Sequence, residues 1–230
     1  MAKYSFFVTG TDTGVGKTIV SAALLLAAKA RGLRTLAIKP LASGCEETPQ
    51  GLRNSDALIL QQAMTEALPY EQVNPVALQP AIAPHVAAAR SGRTLSAPRL
   101  AGFCRGLQIR PADLLLIEGA GGWRVPLNDR ETYAAVPRML GTPVILVVAL
   151  RLGCINHALL TAEAIRADGL PLAGWVANRP DPEVMANEDE TLAYLQGHLG
   201  APCLGVLPRL APGDAEALAG FLDIRVLFEA

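Results

Sequence analysis

The chain has 230 residues, of which 51% are hydrophobic and 18% charged, which is enough apolar content for residues 1–230 to form a single α/β domain. Its 20 Lys and Arg residues nearly balance its 21 Asp and Glu residues, which excludes a broad basic surface for nucleic acid or an anionic membrane and favours a small-molecule substrate. The four cysteines, at positions 45, 104, 154 and 203, form no CxxC pair, which argues against a zinc site or a disulfide framework and favours reduced cytoplasmic thiols.

Apolar runs of strand length recur along the chain, with helical patterns between them. They cover residues 4–9, 35–39, 114–117, 144–149, 172–177 and 203–207. Most are continuously apolar, which is typical of parallel strands covered on both faces. The pattern therefore predicts a doubly wound α/β fold with a mainly parallel sheet and helices on both faces. None of the runs has the length of a signal-peptide core or a membrane span, so we expect a cytoplasmic protein with no membrane partner.

The clearest motif follows the first predicted strand and reads Gly10-Thr-Asp-Thr-Gly-Val-Gly16-Lys17-Thr18. Glycines let backbone N–H groups surround a phosphate, and the N-terminus of the next helix adds a favourable dipole. Lys17 is placed to reach the β and γ phosphates, and Thr18 to offer a hydroxyl to magnesium. The loop is one residue longer than usual, with Thr11 at the usual first glycine position, and a tight turn without ligand remains the alternative. The candidate ATP-binding residues here are Gly14, Val15, Gly16, Lys17, Thr18 and Ile19.

Residues 18–30 are apolar almost all the way round and are followed by Gly32, which predicts a helix buried beside the sheet. Lys39 ends the second predicted strand, so it lies at the same sheet edge as the phosphate loop. A lysine before proline is more often a solvated surface charge, so this residue alone does not establish a catalytic role. Between residues 41 and 112, prolines break the pattern into what we expect to be short helices and loops of the same domain.

Glu118 follows four apolar residues, which place it at the carboxyl end of the third predicted strand, where ligands gather in open α/β sheets. It is favoured as a magnesium ligand over Asp113, which begins the strand at the opposite edge. An acid that merely ends a strand is the alternative. The glycine-rich run after it lets backbone N–H groups approach an anion closely, so Gly119, Ala120 and Gly121 are also candidates for ATP binding.

The carboxyl-terminal half has a second helix start and a polar strand end. The turn from Gly153 to Asn156 leads into a helix predicted over residues 156–168, whose free N–H groups would attract a carboxylate. Cys154 in this turn has the pattern of an ordinary buried cysteine. Asn178 ends the next strand, and its amide can donate and accept hydrogen bonds at once, as binding to an adenine edge requires. The three histidines are too far apart in sequence to suggest a metal site.

Taken together, the motifs resemble those of the dethiobiotin synthetase family over nearly the whole chain. The matching segments are Val8-Thr-Gly-Thr-Asp-Thr13, Gly16-Lys-Thr18, Lys39-Pro-Leu-Ala-Ser-Gly44, Leu52-Arg-Asn-Ser-Asp-Ala57, Val73-Asn-Pro75, Pro84-His85, Glu118-Gly-Ala-Gly-Gly-Trp123, Leu152-Gly-Cys-Ile-Asn-His157 and Ala173-Gly-Trp-Val-Ala-Asn178. The resemblance implies an ATP-dependent ligase of biotin biosynthesis. Its substrates would be 7,8-diaminopelargonate, carbon dioxide and ATP, and its intermediates a carbamate and a carbamic phosphoric anhydride. Its partner would be a second copy of the chain in a homodimer.

The resemblance also implies roles for individual residues. Lys39 and Lys17 would be catalytic, with the Lys39 ammonium meeting both the carbamate and the γ phosphate. Thr13 and Ser43 would hydrogen-bond the carbamate, although each alone fits an ordinary turn or cap residue. Asp56, which alone fits an acid in the first turn of a helix, would join Thr18 and Glu118 around Mg²⁺.

Two further groups of residues are assigned by the same resemblance. The substrate carboxylate would bind at the helix start formed by Gly153, Cys154, Ile155 and Asn156, contributed across a twofold dimer interface. The adenine would lie between two segments formed by Asn178 with Arg179 and by Pro208, Arg209 and Leu210.

Two other classes share this architecture. A regulatory ATPase of the partitioning or metal-insertion type usually has a signature lysine near the start of the phosphate loop, where this chain has Asp12. An amidase-coupled synthetase would normally add a glutaminase domain with a nucleophilic cysteine, for which 230 residues leave no room. Both are therefore less well supported than the ring-closing ligase.

Overall fold

The computed structural model describes residues 1–183, 185–209 and 215–228. Its strands are β1 Tyr4–Gly10, β2 Thr35–Ile38, β3 Leu41–Ala42, β4 Glu46–Thr48, β5 Gly51–Arg53, β6 Val76–Ala77, β7 Leu114–Gly122, β8 Val144–Ala149, β9 Leu172–Asn178 and β10 Cys203–Leu207. Its helices are α1 Lys17–Ala30, α2 Ser55–Ala63, α3 Tyr70–Val73, α4 Pro84–Arg90, α5 Ala97–Gln108, α6 Ala135–Leu140, α7 Cys154–Ala167, α8 Glu188–His198 and α9 Ala215–Ala219. A short 3₁₀ helix covers Arg225–Leu227.

The central sheet has six strands in the order β10-β9-β8-β1-β7-β2, and every neighbouring pair is parallel. These are the six strands predicted from the apolar runs, so the predicted parallel sheet is confirmed. β7 continues to Gly122, beyond the predicted end at residue 117, and Gly122 pairs with Gly10 after a register shift. Because all six strands run the same way, their carboxyl ends meet at one edge of the sheet.

Both faces of the sheet are covered, as β8 demonstrates. Ile145 and Val147 pack into a large core that includes the buried face of α1, whereas Leu146 and Val148 pack into a second core around Trp175 and α7. Successive side chains of a strand point to opposite faces, so helices lie on both sides of the sheet. The predicted doubly wound architecture is confirmed.

The excursion between residues 41 and 112 is more ordered than the sequence indicates. It contains a parallel pair, β3 with β6, and a hairpin of β4 with β5, none of which was predicted. Strands of two or three residues are too short to show a periodic pattern, which explains the omission. Pro98 is one of the prolines expected to divide this stretch into short helices and loops, and it lies in the first turn of the 12-residue α5, where its missing N–H has no intrahelical partner to lose.

Across the described ranges, no helix combines the length and apolar character needed to cross a membrane.

Candidate functional site

The phosphate loop joins the carboxyl end of β1 to the start of α1. Gly16 ends the loop with φ at 87°, a left-handed conformation that glycine adopts without strain. The Lys17 ammonium donates to the carbonyl oxygen of Asp12 at 3.1 Å and so folds back over the loop. Burial lowers the pKa of Lys17 to about 8, although the nearby Glu118 carboxylate opposes that shift. The loop therefore holds a buried ammonium at its centre, where a phosphate would offer it a counter-charge.

Lys39 lies between two carboxylates that come from distant parts of the chain. Its Nζ is 2.6 Å from Glu118 Oε1 and 2.7 Å from Asp56 Oδ2. Burial alone would lower the pKa of Lys39, but Glu118 and Asp56 together raise it above its ordinary value. Burial would raise the pKa of Asp56, but Lys39 lowers it overall. The strand positions placed Lys39 and Glu118 at one sheet edge, and the family resemblance added Asp56. In the structure Lys39 contacts both carboxylates.

Thr18 belongs to the same cluster, because its hydroxyl donates to Glu118 Oε1 at 2.9 Å. The Glu118 side chain is 0% exposed, and its second oxygen, Oε2, has no hydrogen-bond partner in the part of the chain that the structure describes. A buried carboxylate oxygen without a donor is unfavourable unless a cation or ligand completes its environment. Two carboxylates and a hydroxyl form an all-oxygen set, which is the chemistry that Mg²⁺ prefers. The residues present therefore fit a magnesium ion.

The glycine-rich end of β7 lies against the phosphate loop. A Cβ on Gly121 would stand 3.4 Å from the Thr13 hydroxyl and 2.7 Å from Val125 Cγ2. A larger residue at position 121 would therefore disturb the packing of β7 against the phosphate loop. The backbone N–H of Thr13 donates to the Asp12 carboxylate at 2.7 Å, and the Thr13 side chain is exposed. Gly119 packs against the ring of Phe7, and a Cβ there would be 2.9 Å from that ring. The segments that contain Thr13 and Gly119 to Gly121 therefore lie next to each other.

Ser43 directly follows β3, four positions after Lys39, and is half-buried. The next residue, Gly44, has φ at 73° and donates its N–H to Pro80 at 3.1 Å, so this loop is tied to the segment after β6. The loop that contains Ser43 is therefore anchored to the segment after β6.

The predicted carboxylate-binding turn begins α7. Gly153 has φ at 93° and precedes the first helical residue, Cys154, which is buried, while Ile155 is half-buried and Asn156 is exposed. Arg151, just before the turn, forms an ion pair of 3.5 Å with Asp12 of the phosphate loop. This link between the turn and the loop was not predicted, since neither residue has a local sequence signal for it.

The residues predicted to bind adenine lie at the ends of β9 and β10, which are neighbours in the sheet. Asn178 pairs in register with Leu207, directly before Pro208 and the exposed Arg209, whereas Leu210 lies outside the described residues. The Asn178 amide donates to the carbonyl oxygen of Val15 at 2.9 Å, a contact with the phosphate loop that was not predicted. The Arg179 guanidinium makes hydrogen bonds of 2.9 and 3.0 Å to the two carboxylate oxygens of Glu188.

A set of buried polar residues next to Lys39 was assigned no role from the sequence. Asn54, Tyr70 and Asn74 form a hydrogen-bonded chain that reaches the backbone of Lys39. One signal could have indicated its first member, because Asn54 directly precedes the predicted helix and Asn is a favoured N-cap residue. Asn74 lies in the family-like segment Val73-Asn-Pro75, but no role was assigned to it, and the bonds that tie the pair to Asn54 and Lys39 span 16 and 35 positions.

The chain is similar to known proteins in both sequence and fold. Residues 4–217 match a family described as an AAA domain. The chain is 69% identical to the ATP-dependent dethiobiotin synthetase BioD of Marinobacter nauticus and 59% identical to that of Cellvibrio japonicus, with 100% of each chain covered in both cases. Among solved structures, a ParA family ATPase from Chlorobium tepidum TLS matches with a TM-score of 0.55 at 15% identity, covering 95% of this chain and 89% of that one. That last similarity concerns the fold alone.

Proposed function

The chain belongs to the dethiobiotin synthetase family, and on that premise we propose that it closes the ureido ring of dethiobiotin from 7,8-diaminopelargonate, carbon dioxide and ATP. One substrate amine adds to carbon dioxide to give a carbamate. A carbamate oxygen attacks the γ phosphorus of ATP, which forms a carbamic phosphoric anhydride and releases ADP. The second amine then attacks the anhydride carbon and expels phosphate. The observation that most supports this chemistry is the convergence of Lys39, Thr18 and Glu118 beside the phosphate loop.

The phosphate loop binds and orients the triphosphate. Backbone N–H groups from Gly14 to Ile19 surround the phosphate oxygens, and Lys17 exchanges its contact with the Asp12 carbonyl for the β and γ phosphates. An ammonium whose pKa is lowered by burial gains a strong partner when a phosphate enters. Phosphoryl transfer depends mainly on such positioning and charge stabilisation, because the protein itself forms no covalent bond.

Lys39 stabilises the two anions that must approach each other, the carbamate and the transferring phosphoryl group. An ammonium has three hydrogen-bond donors, and Lys39 uses two of them for Glu118 and Asp56. The third is available for an anionic oxygen. The two carboxylates keep the ammonium charged inside a buried site, where each charge interaction is stronger than in water. Thr13 and Ser43 would hold the carbamate by their hydroxyl groups.

Thr18, Asp56 and Glu118 are the residues that would hold Mg²⁺, which would neutralise charge on the β and γ phosphates when bound. The unpartnered Oε2 of Glu118 supports this assignment. Lys39 contacts Glu118 through Oε1, so the Oε2 atom remains free for the cation.

The remaining proposals concern the substrate tail, the base and the assembly. In a homodimer, the N-terminus of α7, from Gly153 to Asn156, would bind the carboxylate tail of the substrate that lies in the other subunit's site. Leu152 is 95% exposed and Leu160 is 57% exposed, and such large apolar side chains on one helix region favour burial by a second copy. Asn178 and Arg179, with Pro208 and Arg209, would surround the adenine. We place the enzyme in the cytoplasm, without a nucleic-acid or membrane partner.

The test is a product assay with the diamine, labelled bicarbonate and ATP in the presence of Mg²⁺. We expect labelled dethiobiotin and ADP only when all three substrates are present, and a loss of product in Lys39→Gln, which keeps a hydrogen-bonding side chain of similar length but removes the charge. Equal ATP turnover without the diamine would contradict the proposal and would favour a regulatory ATPase instead. Full ring-forming activity in Lys39→Gln would refute the role assigned to that residue.

A further inference from the structure

A buried tyrosine, Tyr70, connects the segment that contains Asp56 with the segment that contacts Lys39. Tyr70, in α3, accepts a hydrogen bond from the backbone N–H of Asn54 at 2.7 Å and donates from the same hydroxyl to Asn74 Oδ1 at 3.2 Å. All three residues are buried. The hydroxyl therefore uses both its donor and its acceptor capacity, and water cannot readily replace it.

Asn74 extends this chain to Lys39. The side-chain nitrogen of Asn74 donates to the Lys39 carbonyl oxygen at 2.7 Å. The Lys39 N–H donates to the carbonyl oxygen of Val73, the residue before Asn74, at 2.8 Å. The peptide groups on both sides of the Lys39 Cα are thus fixed to one short segment. The starting direction of the Lys39 side chain is set by that segment.

Asn54, at the other end of the chain, fixes Asp56. Asn54 is the N-cap of α2, and its side chain accepts from the Ala57 N–H at 3.2 Å, so Asp56 lies in the first turn of a capped helix. Asp56 then contacts the Lys39 ammonium at 2.7 Å. A closed circuit therefore runs from the Lys39 backbone through Asn74, Tyr70 and Asn54 to Asp56 and back to the Lys39 side chain. Its step from Asn54 to Asp56 follows the backbone of α2, and its other steps are hydrogen bonds.

We propose that Tyr70 and Asn74 are positioning residues that hold Lys39 and Asp56 in their reactive arrangement. The proposal rests on the proposed function, because it concerns the site at which the ring-closing reaction takes place. Neither residue contacts the phosphate loop through any hydrogen bond in the described ranges, so both act on the reaction step more than on nucleotide affinity. A displacement of about 1 Å in a reacting group is enough to lower a rate strongly.

Tyr70→Phe tests the hydroxyl alone. The phenylalanine ring keeps the packing of the tyrosine, including the Arg53 guanidinium 4.2 Å from the ring centre. Tyr4→Phe is the control, because it deletes the same atom at the amino end of β1. It loses one hydrogen bond, from the Tyr4 hydroxyl to the Phe228 carbonyl at 3.1 Å, whereas Tyr70→Phe loses two. The measurements are kcat and KM for ATP and for the diamine, together with the thermal midpoint of unfolding.

For Tyr70→Phe we expect kcat to fall about tenfold, with KM for ATP within about twofold of wild type, since the barrier rises while the contacts of the phosphate loop with the nucleotide stay intact. Tyr4→Phe keeps the wild-type kcat, even if its thermal midpoint falls. The double variant Tyr70→Phe with Asn74→Ala should have a kcat close to that of the slower single variant, because both substitutions break the same hydrogen-bonded chain.

A wild-type kcat in Tyr70→Phe would refute the positioning role, whatever its thermal midpoint. An equal loss of kcat in Tyr4→Phe would refute it too, since the effect would then follow stability and not the site. Strictly multiplicative losses in the double variant would show that the two residues do not act through one chain. Failure of the wild-type enzyme to form dethiobiotin would overturn the proposed function itself, and the positioning role with it.

Discussion

Replacing Lys39 by methionine should lower the stability of the protein as well as its activity. Methionine keeps most of the side-chain volume but removes the ammonium from between Glu118 and Asp56. Glu118 is 0% exposed, so it would be left as a buried carboxylate without its closest cation. Breaking a buried ion pair on one side typically destabilises a protein by about 3–5 kcal/mol, because the remaining charge is uncompensated.

The structure places the expected loss of unfolding free energy in Lys39→Met near the lower end of that range. The Thr18 hydroxyl still donates to Glu118 at 2.9 Å, and the positive charge of Lys17 is nearby. Asp56 contributes little, because its side chain is 40% exposed and water can solvate it once Lys39 is gone. We therefore expect Lys39→Met to lower the free energy of unfolding by about 3 kcal/mol.

Urea denaturation followed by tryptophan fluorescence measures this change. With a slope of about 2–3 kcal/mol per molar urea, the midpoint should fall by about 1–1.5 M. Lys29→Met is the control: Lys29 is an exposed residue in the last turn of α1, and its replacement should change stability by about 0.5 kcal/mol or less. Adding Glu118→Gln to Lys39→Met should restore part of the loss, because the uncompensated charge disappears. A Lys39→Met variant as stable as the Lys29→Met control would refute the reasoning.

Two further substitutions test other parts of the site, and a labelling experiment tests the burial of a core cysteine. Glu118→Gln should raise the Mg²⁺ concentration needed for tight ADP binding at least tenfold, measured by calorimetry, whereas unchanged Mg²⁺ dependence would contradict the ligand assignment. Gly16→Ala should abolish most ADP binding, because the new Cβ would lie 2.1 Å from Asn178 Nδ2. The control is Gly32→Ala, which has a similar φ of 75° but open space around it and should bind ADP like wild type. Burial raises the pKa of the Cys104 thiol to about 12, so iodoacetamide should not alkylate it at pH 8 in the folded protein. Mass spectrometry measures this, and rapid labelling of Cys104 in the native protein would contradict its burial.

The parts of the molecule that were predictable share one property, which is that their signal is local in sequence. The central strands are continuous apolar runs, and the phosphate loop is a compact glycine-rich motif between a strand and a helix. Glu118 could be placed because four apolar residues lead directly to it. Family resemblance then assigned Lys39 and Asp56 to the same site, and the structure places them in contact.

The parts that were not predictable depend on contacts between distant residues. Lys39 meets Glu118 across 79 positions, and Asn178 meets Val15 across 163, so no local pattern reveals either contact. The chain through Tyr70 also depends on how the 41–112 excursion folds back on the site. Asn, Tyr and Lys are common on surfaces and in turns, and only the folded arrangement shows that these ones are paired with each other.

The convergence of both lysines on one triphosphate can be seen in a crystal structure with a non-hydrolysable ATP analogue, Mg²⁺ and the diamine. We expect Lys17 and Lys39 both to lie within hydrogen-bond distance, about 3 Å, of γ-phosphate oxygens, with Thr18, Asp56 and Glu118 around the metal. A nucleotide bound away from the loop, or a γ phosphate out of reach of Lys39, would contradict it.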